Sequence, residues 1–174
     1  NIFQRFLSIV RGRESQIAVT NDRYQATYGE LLQQIESLRP LFSKKREEEH
    51  IVILLALPGG PHFTAIQLAG FSEGATVVPV PNRSTAHETR GYLRFIQPDL
   101  VVVESFQNAR PLLEALEAPT VILSLDDADK KNDLRPARFS KPRRSDVHRI
   151  LCWEELMNKD PGAIQPLTPG SPVF

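Results

Sequence analysis

The chain has 174 residues, of which 41% are hydrophobic and 24% are charged, and its 21 basic side chains balance 21 acidic ones. This length suits one domain with a sizeable core, and the composition is that of a globular protein rather than a disordered one. A formal net charge of zero removes the global electrostatic case for nucleic acid or an anionic membrane as the main partner.

The cysteine count indicates the redox compartment, and the lengths of the apolar runs indicate whether the chain crosses a membrane. Cys152 is the single cysteine, which excludes an internal disulfide, a CxxC redox motif and a cysteine-rich zinc cluster. We expect an intracellular, reducing compartment, the cytoplasm, with the peroxisome as the alternative. The longest apolar run, residues 51–57, is far shorter than the ~20 residues that span a bilayer, so we expect a soluble protein without a transmembrane segment. Because Asn1 is not an initiator methionine, we expect the chain to begin inside a longer reading frame.

The first 43 residues predict a helix, a hairpin and a second helix. Residues 1–10 carry apolar side chains at helical spacing. Residues 16–20 and 24–28 alternate with the period of strands, and Asn21-Asp22 between them is typical of a turn. Thr27 and Glu30 form the sequence signature of a capping box, which predicts a helix from about residue 28 to residue 38.

The middle of the chain alternates strands and helices. Residues 51–57 are apolar throughout, as in a strand covered on both faces of a parallel sheet. A turn at residues 58–60 precedes a helix that starts at Pro61 and runs to Gly74. The alternation continues with strands at residues 75–80, 99–103 and 120–125. Helices are predicted at residues 85–96, where Thr85 is the capping residue, and at residues 109–116. We therefore predict an α/β fold with three layers: a mostly parallel sheet, flanking helices and a small amino-terminal hairpin.

The last 50 residues are less regular. Between residues 130 and 149 there are eight Lys or Arg against two Asp, and the apolar period is lost. We predict three parts: an α/β subdomain at 1–125, a basic polar loop at 126–149, and a short helix with an extended, proline-containing tail at 150–174. The short helix is expected at residues 152–157.

No motif predicts a catalytic residue, a cofactor-binding residue or a metal ligand. The turn at Pro58-Gly59-Gly60-Pro61 has the position of a phosphate cradle, but it lacks the G-x-G-x-x-G and Lys-Ser/Thr patterns, which favours a plain turn. His62 has no partner at metal-site spacing and is interpreted as a surface histidine. His50, His87 and His148 are equally isolated.

Two further parts of the sequence carry side chains of types that can bind a ligand or react. The basic residues of the polar loop favour a solvated surface over a phosphate or acidic partner, since Phe139 is the single aromatic among them. They include Arg135, Arg138, Lys141, Arg143 and Arg144. Apolar neighbours favour a buried Cys152 over a reactive thiol.

Five stretches, at residues 26–31, 56–63, 68–80, 98–103 and 153–156 in chain order, resemble motifs of the adenylate-forming superfamily of acyl-CoA synthetases, luciferases and peptide-synthetase adenylation domains. Residues 26–31 (Ala-Thr-Tyr-Gly-Glu-Leu) resemble its first core motif, and residues 68–80 resemble the second, a helix that ends at Gly-Ala before a V-x-P strand. Residues 56–63 are similar to the L-P-N-x-x-x-F turn, residues 98–103 to the following strand, and residues 153–156 to an element that precedes the nucleotide loop. The resemblance covers most of residues 1–125 and returns near Trp153.

The resemblance implies that this chain is the incomplete amino-terminal subdomain of an AMP-binding enzyme. In the family, a loop of the form T-S-G-T-T-G-x-P-K-G, which holds the ATP phosphates, follows the stretch similar to residues 170–174. The matching residues are structural, so no catalytic residue is carried over. ATP, Mg²⁺ and CoA are expected for the parent enzyme and none for this chain.

The leading hypothesis is an acyl-CoA synthetase, an acid-thiol ligase of fatty acid metabolism, with this chain as its non-catalytic amino-terminal part. Residues 81–83 (Pro-Asn-Arg) resemble acyl-CoA synthetases more than amino-acid-activating domains. The alternatives are an adenylation or fatty acyl-AMP ligase domain that loads a carrier protein, a stand-alone interaction module with a tendency to homo-oligomerise, and a flavodoxin-like binding domain. The partners expected are the rest of the parent chain and, for the parent, a carboxylic acid.

Overall fold

The protein, described by a computed structural model, contains two β-sheets surrounded by helices. The structure describes residues 2–43, 50–81, 84–93, 95–116, 120–126 and 149–167. The helices are α1 (Ile2–Val10), α2 (Tyr28–Phe42), α3 (Pro61–Ser72), α4 (Ala86–Leu93), α5 (Arg110–Leu113) and α6 (Trp153–Met157), followed by a 3-10 turn (Pro161–Ala163). The strands are β1 (Ile17–Thr20), β2 (Gln25–Thr27), β3 (Val52–Ala56), β4 (Thr76–Pro79), β5 (Leu100–Val103), β6 (Val121–Ser124) and β7 (Arg149–Cys152).

The main sheet is parallel, as the alternation of strands and helices predicted. Among the described residues its strand order is β4-β3-β5-β6-β7, and every neighbouring pair is parallel. Ile53, Leu54 and Leu55 of β3 are fully buried, as are all four residues of β5. Strands buried on both faces are the signature of a sheet with helices on each side. The predicted α/β class is confirmed.

Successive residues of β3 face opposite layers because side chains alternate along a strand. Ile53 and Leu55 belong to one core cluster with the buried residues of α2, α3 and α6. Leu54 and Ala56 belong to a second cluster with residues of α5 and the segment before it. The sheet therefore forms the middle of the three predicted layers.

The predicted hairpin and the helix starts are also confirmed. β1 and β2 pair antiparallel in a separate two-stranded sheet. Thr27 and Glu30 form a complete capping box, with the Thr27 N–H donating to Glu30 Oε2 at 2.8 Å and the Glu30 N–H donating to Thr27 Oγ1 at 3.2 Å. The hydrogen bond from the Thr27 backbone lowers the pKa of Glu30. Thr85 and Glu88 make the same pair of bonds before α4.

Helix α3 begins at Pro61, as predicted, and ends at Ser72, two residues before the predicted end at Gly74. Pro61 occupies its first turn. Gly74 has a φ of 72°, a left-handed conformation that glycine adopts without the steric cost of a Cβ, and its N–H donates to the Phe71 carbonyl at 3.3 Å. The chain turns there into β4.

Helix α2 is longer than predicted. It was expected to end near Leu38, ahead of Pro40, but it continues to Phe42 with Pro40 inside its last turn. Leu41 and Phe42 are 1% and 0% exposed. Burial of these two side chains outweighs the local preference of proline to end a helix, which is a common outcome when tertiary packing opposes propensity.

Strand β7 was missed by the sequence analysis, which placed residue 149 in a loop and Cys152 at the start of a helix. Residues 149–152 pair with β6 in parallel register, Val121 opposite Arg149 and Ser124 opposite Cys152. Four residues are too short for a periodic signal, so only the presence of the β6 edge defines this strand. Most of the predicted basic loop, residues 127–148, lies outside the described residues.

The predicted tail contains more structure than an extended chain. Asp160 accepts a hydrogen bond from the Gly162 N–H at 2.9 Å, which starts the 3-10 turn. Ile164 and Leu167 are buried at 7% and 2% exposure, and the Leu167 N–H donates to the Leu41 carbonyl at 2.9 Å. The tail therefore packs on the end of α2, and residues 168–174 lie outside the described part.

Candidate functional site

A crevice lies where neighbouring strands of the main sheet send their helices to opposite faces. β3 leads into α3, which packs on one face, and the adjacent β5 leads into α5, which packs on the other. In doubly wound sheets ligands bind at this topological switch point, beside the carboxyl ends of the strands. The crevice here has a volume of about 340 Å³. Its walls come from the segments after β3, β5 and β6 and from the β1–β2 hairpin, and include Asn21, Arg23, Tyr24, Gly59, His62 and Glu104.

The turn after β3 forms one wall of the crevice. Gly60 has a φ of 150° and precedes Pro61, so the chain changes direction within two residues. The Gly59 carbonyl accepts a hydrogen bond from Asn21 Nδ2 at 2.9 Å. A Cβ added at Gly60 would overlap that same amide nitrogen, which gives the glycine a packing role as well as a conformational one. The plain-turn interpretation of residues 58–61 agrees with this geometry.

The opposite wall is the hairpin tip, defined as residues 21–24. Asn21 Oδ1 accepts hydrogen bonds from the Arg23 N–H at 3.0 Å and the Tyr24 N–H at 2.8 Å. The Asn21 N–H donates to the Tyr24 carbonyl at 2.8 Å. An asparagine that bonds the backbone two and three residues ahead stabilises a turn. The hairpin tip is therefore held together by its own first residue.

An ion pair crosses the mouth of the crevice from the hairpin tip to the segment after β5. Arg23 Nη1 lies 2.8 Å from Glu104 Oε1, and Asn108 Nδ2 donates to Glu104 Oε2 at 3.2 Å. The Arg23 side chain is 71% exposed and that of Glu104 is 25% exposed. An ion pair with one partner in solvent contributes roughly 0–1 kcal/mol. Arg23 and Glu104 are 81 positions apart, and no sequence signal connected them.

His62 is the candidate residue whose surroundings in the structure differ most from those expected from the sequence. Its ring lies 5.1 Å from the Tyr24 ring and 4.8 Å from the Trp153 ring, close to perpendicular to both. Edge-to-face contacts at these distances are favourable. Burial lowers the pKa of His62 from its ordinary value of 6.5. The expectation of a plain surface histidine was wrong, because the hairpin tip and α6, distant in sequence, cover its ring from two sides.

Because His62 is partly buried, we expect the free energy of unfolding to decrease as the pH falls below 6.5. Because its folded-state pKa is below 6.5, the unfolded chain binds the proton first as the pH falls. Its contribution is complete above pH 6.5 and is lost as the pH falls from there towards the folded-state pKa. Urea unfolding at a series of pH values should show this decline, and His62→Gln should reduce it.

The control for this experiment is His50→Gln, since His50 is exposed. That variant should retain the decline of the parent protein. An equally steep decline in His62→Gln and in the parent would show that other groups cause it.

The remaining sequence candidates lie apart from the crevice or outside the described part. His87 is exposed on α4, and the side chain of Cys152 is buried at 1% exposure, as expected. His148 and the basic residues of the polar loop lie outside the described residues. Within the described ranges, no group of three or more His, Cys, Asp or Glu side chains could hold a metal ion. No described helix combines the length and apolar character needed to cross a membrane.

The fold and the crevice define a doubly wound α/β subdomain with its site at the switch point of a parallel sheet. Residues 7–173 match the family of AMP-binding enzymes, and the chain belongs to that family. A comparison with curated proteins found no match.

Solved structures share the fold at low sequence identity. A benzoate CoA ligase from Burkholderia xenovorans LB400 is 18% identical, with a TM-score of 0.65 over 91% of this chain and 28% of that one. The A-PCP didomain of a carboxylic acid reductase from Segniliparus rugosus, solved with AMP, is 18% identical, with a TM-score of 0.66 over 98% of this chain and 27% of that one. The adenylation domain AlmE from Vibrio cholerae, in complex with glycyl-adenosine-5'-phosphate, is 18% identical, with a TM-score of 0.64 over 89% of this chain and 29% of that one. The chain thus spans less than a third of each of these three structures, and it corresponds to the amino-terminal part of their fold.

Proposed function

We propose that this chain is the amino-terminal scaffold of an enzyme that uses ATP to convert a carboxylic acid into an acyl-adenylate and then into an acyl-CoA thioester. The family match over residues 7–173 carries the proposal of adenylate formation. The resemblance of Pro81-Asn82-Arg83 in this chain to the corresponding residues of acyl-CoA synthetases supports CoA as the acceptor. The single cysteine supports a reducing compartment, the cytoplasm or the peroxisome.

Formation of an acyl-adenylate requires charge-stabilising groups beyond those of the proposed scaffold. Attack of a carboxylate oxygen on the α-phosphate of ATP develops negative charge, which loop amides, a cationic side chain and Mg²⁺ would stabilise. Magnesium prefers carboxylate and phosphate oxygens in an octahedral arrangement. The described carboxylates do not provide such a ligand set, and Glu104 in the crevice is engaged by Arg23 and Asn108. We assign no chemical step to the described residues.

The polar contacts of the crevice support a scaffold role for this chain. Arg23 is paired with Glu104, and the Asn21 amide is bonded both to Gly59 and to its own turn. These contacts connect the hairpin to the main sheet rather than presenting groups to a reactant. We propose that the 174 residues form no acyl-adenylate by themselves.

The test is carboxylate-dependent exchange of labelled pyrophosphate into ATP. The native polypeptide, captured from its source with an antibody against this segment, should exchange pyrophosphate only when its carboxylic acid is present. The 174-residue chain, assayed in parallel with the same acids, should show no exchange. Exchange by the chain itself would contradict the scaffold role, and no exchange by the native polypeptide over a broad panel of acids would contradict adenylate formation.

A second candidate is an enzyme that transfers the acyl group to a carrier protein. It is favoured by the likeness to the A-PCP didomain of a carboxylic acid reductase and to the adenylation domain AlmE, which are as similar to this chain as the CoA ligase is. The acceptor distinguishes the two. Once the acid is known, the native polypeptide is supplied with free CoA or with a phosphopantetheinylated carrier domain, and formation of acyl-CoA supports the leading proposal. Acylation of the carrier alone would replace it with the second.

A further inference from the structure

The hairpin that borders the crevice has a buried base, and the contacts of its tip with the other described residues are individually weak. At its base, Ala26 is 2% exposed, and Ala18 and Val19 pack against the main core cluster. The tip projects away from this anchor and forms one side of the crevice. Among the described residues, the hairpin shares no backbone ladder with the main sheet. The tip is therefore attached to the sheet through side chains.

Within the described part of the chain, three side-chain contacts connect the hairpin tip to three segments of the crevice. Asn21 Nδ2 donates to the Gly59 carbonyl after β3 at 2.9 Å. Arg23 pairs with Glu104 after β5 at 2.8 Å. The Tyr24 ring meets the His62 ring of α3 edge-on at 5.1 Å. Each of these contacts is of a kind that contributes little free energy: one is a neutral hydrogen bond, one an exposed ion pair and one a ring contact.

The hairpin tip is stiff internally, so we expect its three contacts with the crevice to break together. Asn21 Oδ1 bonds the backbone of Arg23 and Tyr24, and those bonds do not involve the sheet. A stiff segment with an anchored base and weak outer contacts moves as a unit, as loop lids do.

We infer that the hairpin tip is a latch that closes the crevice at the β3–β5 switch point and opens by releasing Gly59, Glu104 and His62 together. Opening exposes the His62 ring, which the closed latch covers with Tyr24 on one side while Trp153 covers the other. Because each of the three contacts is weak, salt or a single substitution shifts the populations of the closed and open states. The inference rests on these contacts and is independent of the proposed function.

The reactivity of His62 reports opening as an increase in rate, because the closed latch leaves this side chain only partly exposed. Diethylpyrocarbonate acylates neutral imidazole nitrogens, and peptide mapping by mass spectrometry reports the rate at each histidine in the full chain. His50 and His87 are exposed and serve as internal references. Arg23→Ala removes the ion pair and should raise the His62 rate, relative to these references, by about two- to fivefold.

Two comparisons separate a latch from general loosening. Arg110→Ala removes a similar exposed ion pair, Arg110–Glu114 at 2.6 Å, on α5, and should leave the His62 rate unchanged. About 1 M NaCl, which reduces the Debye length to about 3 Å, should raise the His62 rate in the parent protein but not in Arg23→Ala. Equal rates in the parent and in Arg23→Ala, or an equal rise in Arg110→Ala, would overturn the inference.

The glycine pair of the turn offers an independent test from the other side of the latch. A Cβ at Gly60 would overlap the Asn21 amide, whereas a Cβ at Gly59 would meet no atom within 4 Å. Gly60→Ala should therefore raise the His62 rate and Gly59→Ala should not. Because Gly60 has a φ of 150° and its replacement also strains the backbone, the Arg23→Ala experiment decides the inference if Gly60→Ala does not fold.

Discussion

Trp153→Ala is expected to lower the free energy of unfolding by about 3–5 kcal/mol, the cost of removing a buried aromatic side chain and leaving a cavity. Trp153 is 7% exposed and belongs to the main core cluster. Its ring contacts His62 at 4.8 Å, so its loss also uncovers the inner side of that histidine. Urea unfolding followed by circular dichroism measures the effect, since the variant has no tryptophan fluorescence.

Two variants control for the size and position of the ring. Trp153→Phe keeps an aromatic ring in the same place and should cost substantially less than the alanine variant. Phe95→Ala removes an aromatic side chain that is 89% exposed and should change stability by no more than about 0.5 kcal/mol. If Trp153→Ala were as mild as Phe95→Ala, the burial of Trp153 in the main core cluster and against the His62 ring would be wrong.

Gly70→Val is expected to cost about 1–3 kcal/mol through overpacking between α3 and the sheet. A Cβ at Gly70 would lie 2.8 Å from Val77 Cγ2 and 3.1 Å from Ile53 Cδ1. Valine is stiff at its first side-chain torsion, so Val77 has little freedom to move away. Thermal or urea unfolding gives the change in stability.

Gly91 in α4 provides the matched control, because it is also a helical glycine and has no atom within 4 Å of the position of an added Cβ. Gly91→Val should be neutral or slightly stabilising, since valine has a better helix propensity than glycine by a few tenths of a kcal/mol. Equal losses in the two variants would show that the close approach of α3 to β3 and β4 does not set the cost of the Gly70 substitution.

Much of the fold could be predicted because its signals are local. The apolar run at residues 51–57 predicted a strand buried on both faces, and Ile53, Leu54 and Leu55 are fully buried. The pairs Thr27 with Glu30 and Thr85 with Glu88 predicted helix starts, and both pairs form the expected hydrogen bonds. Each of these signals lies within a single short stretch of the chain.

The errors have a different origin. Strand β7 has four residues and exists because the β6 edge is available to pair with it. Helix α2 continues through Pro40 because Leu41 and Phe42 are buried by other elements. In both cases a long-range contact outweighed a local preference, and no window of the sequence contains that contact.

The sequence by itself determined the fold class and most of the elements, because hydrophobic period, capping pairs and turn residues act over a few positions. The resemblance of its motifs indicated the family, which the match over residues 7–173 shows. The tertiary structure alone decided the candidate site. It brought Arg23 to Glu104 and placed His62 between Tyr24 and Trp153. The physical reason is that the right-handed crossovers of a parallel sheet bring the segments after β3 and β5, distant in the chain, side by side at one edge, where the hairpin meets them.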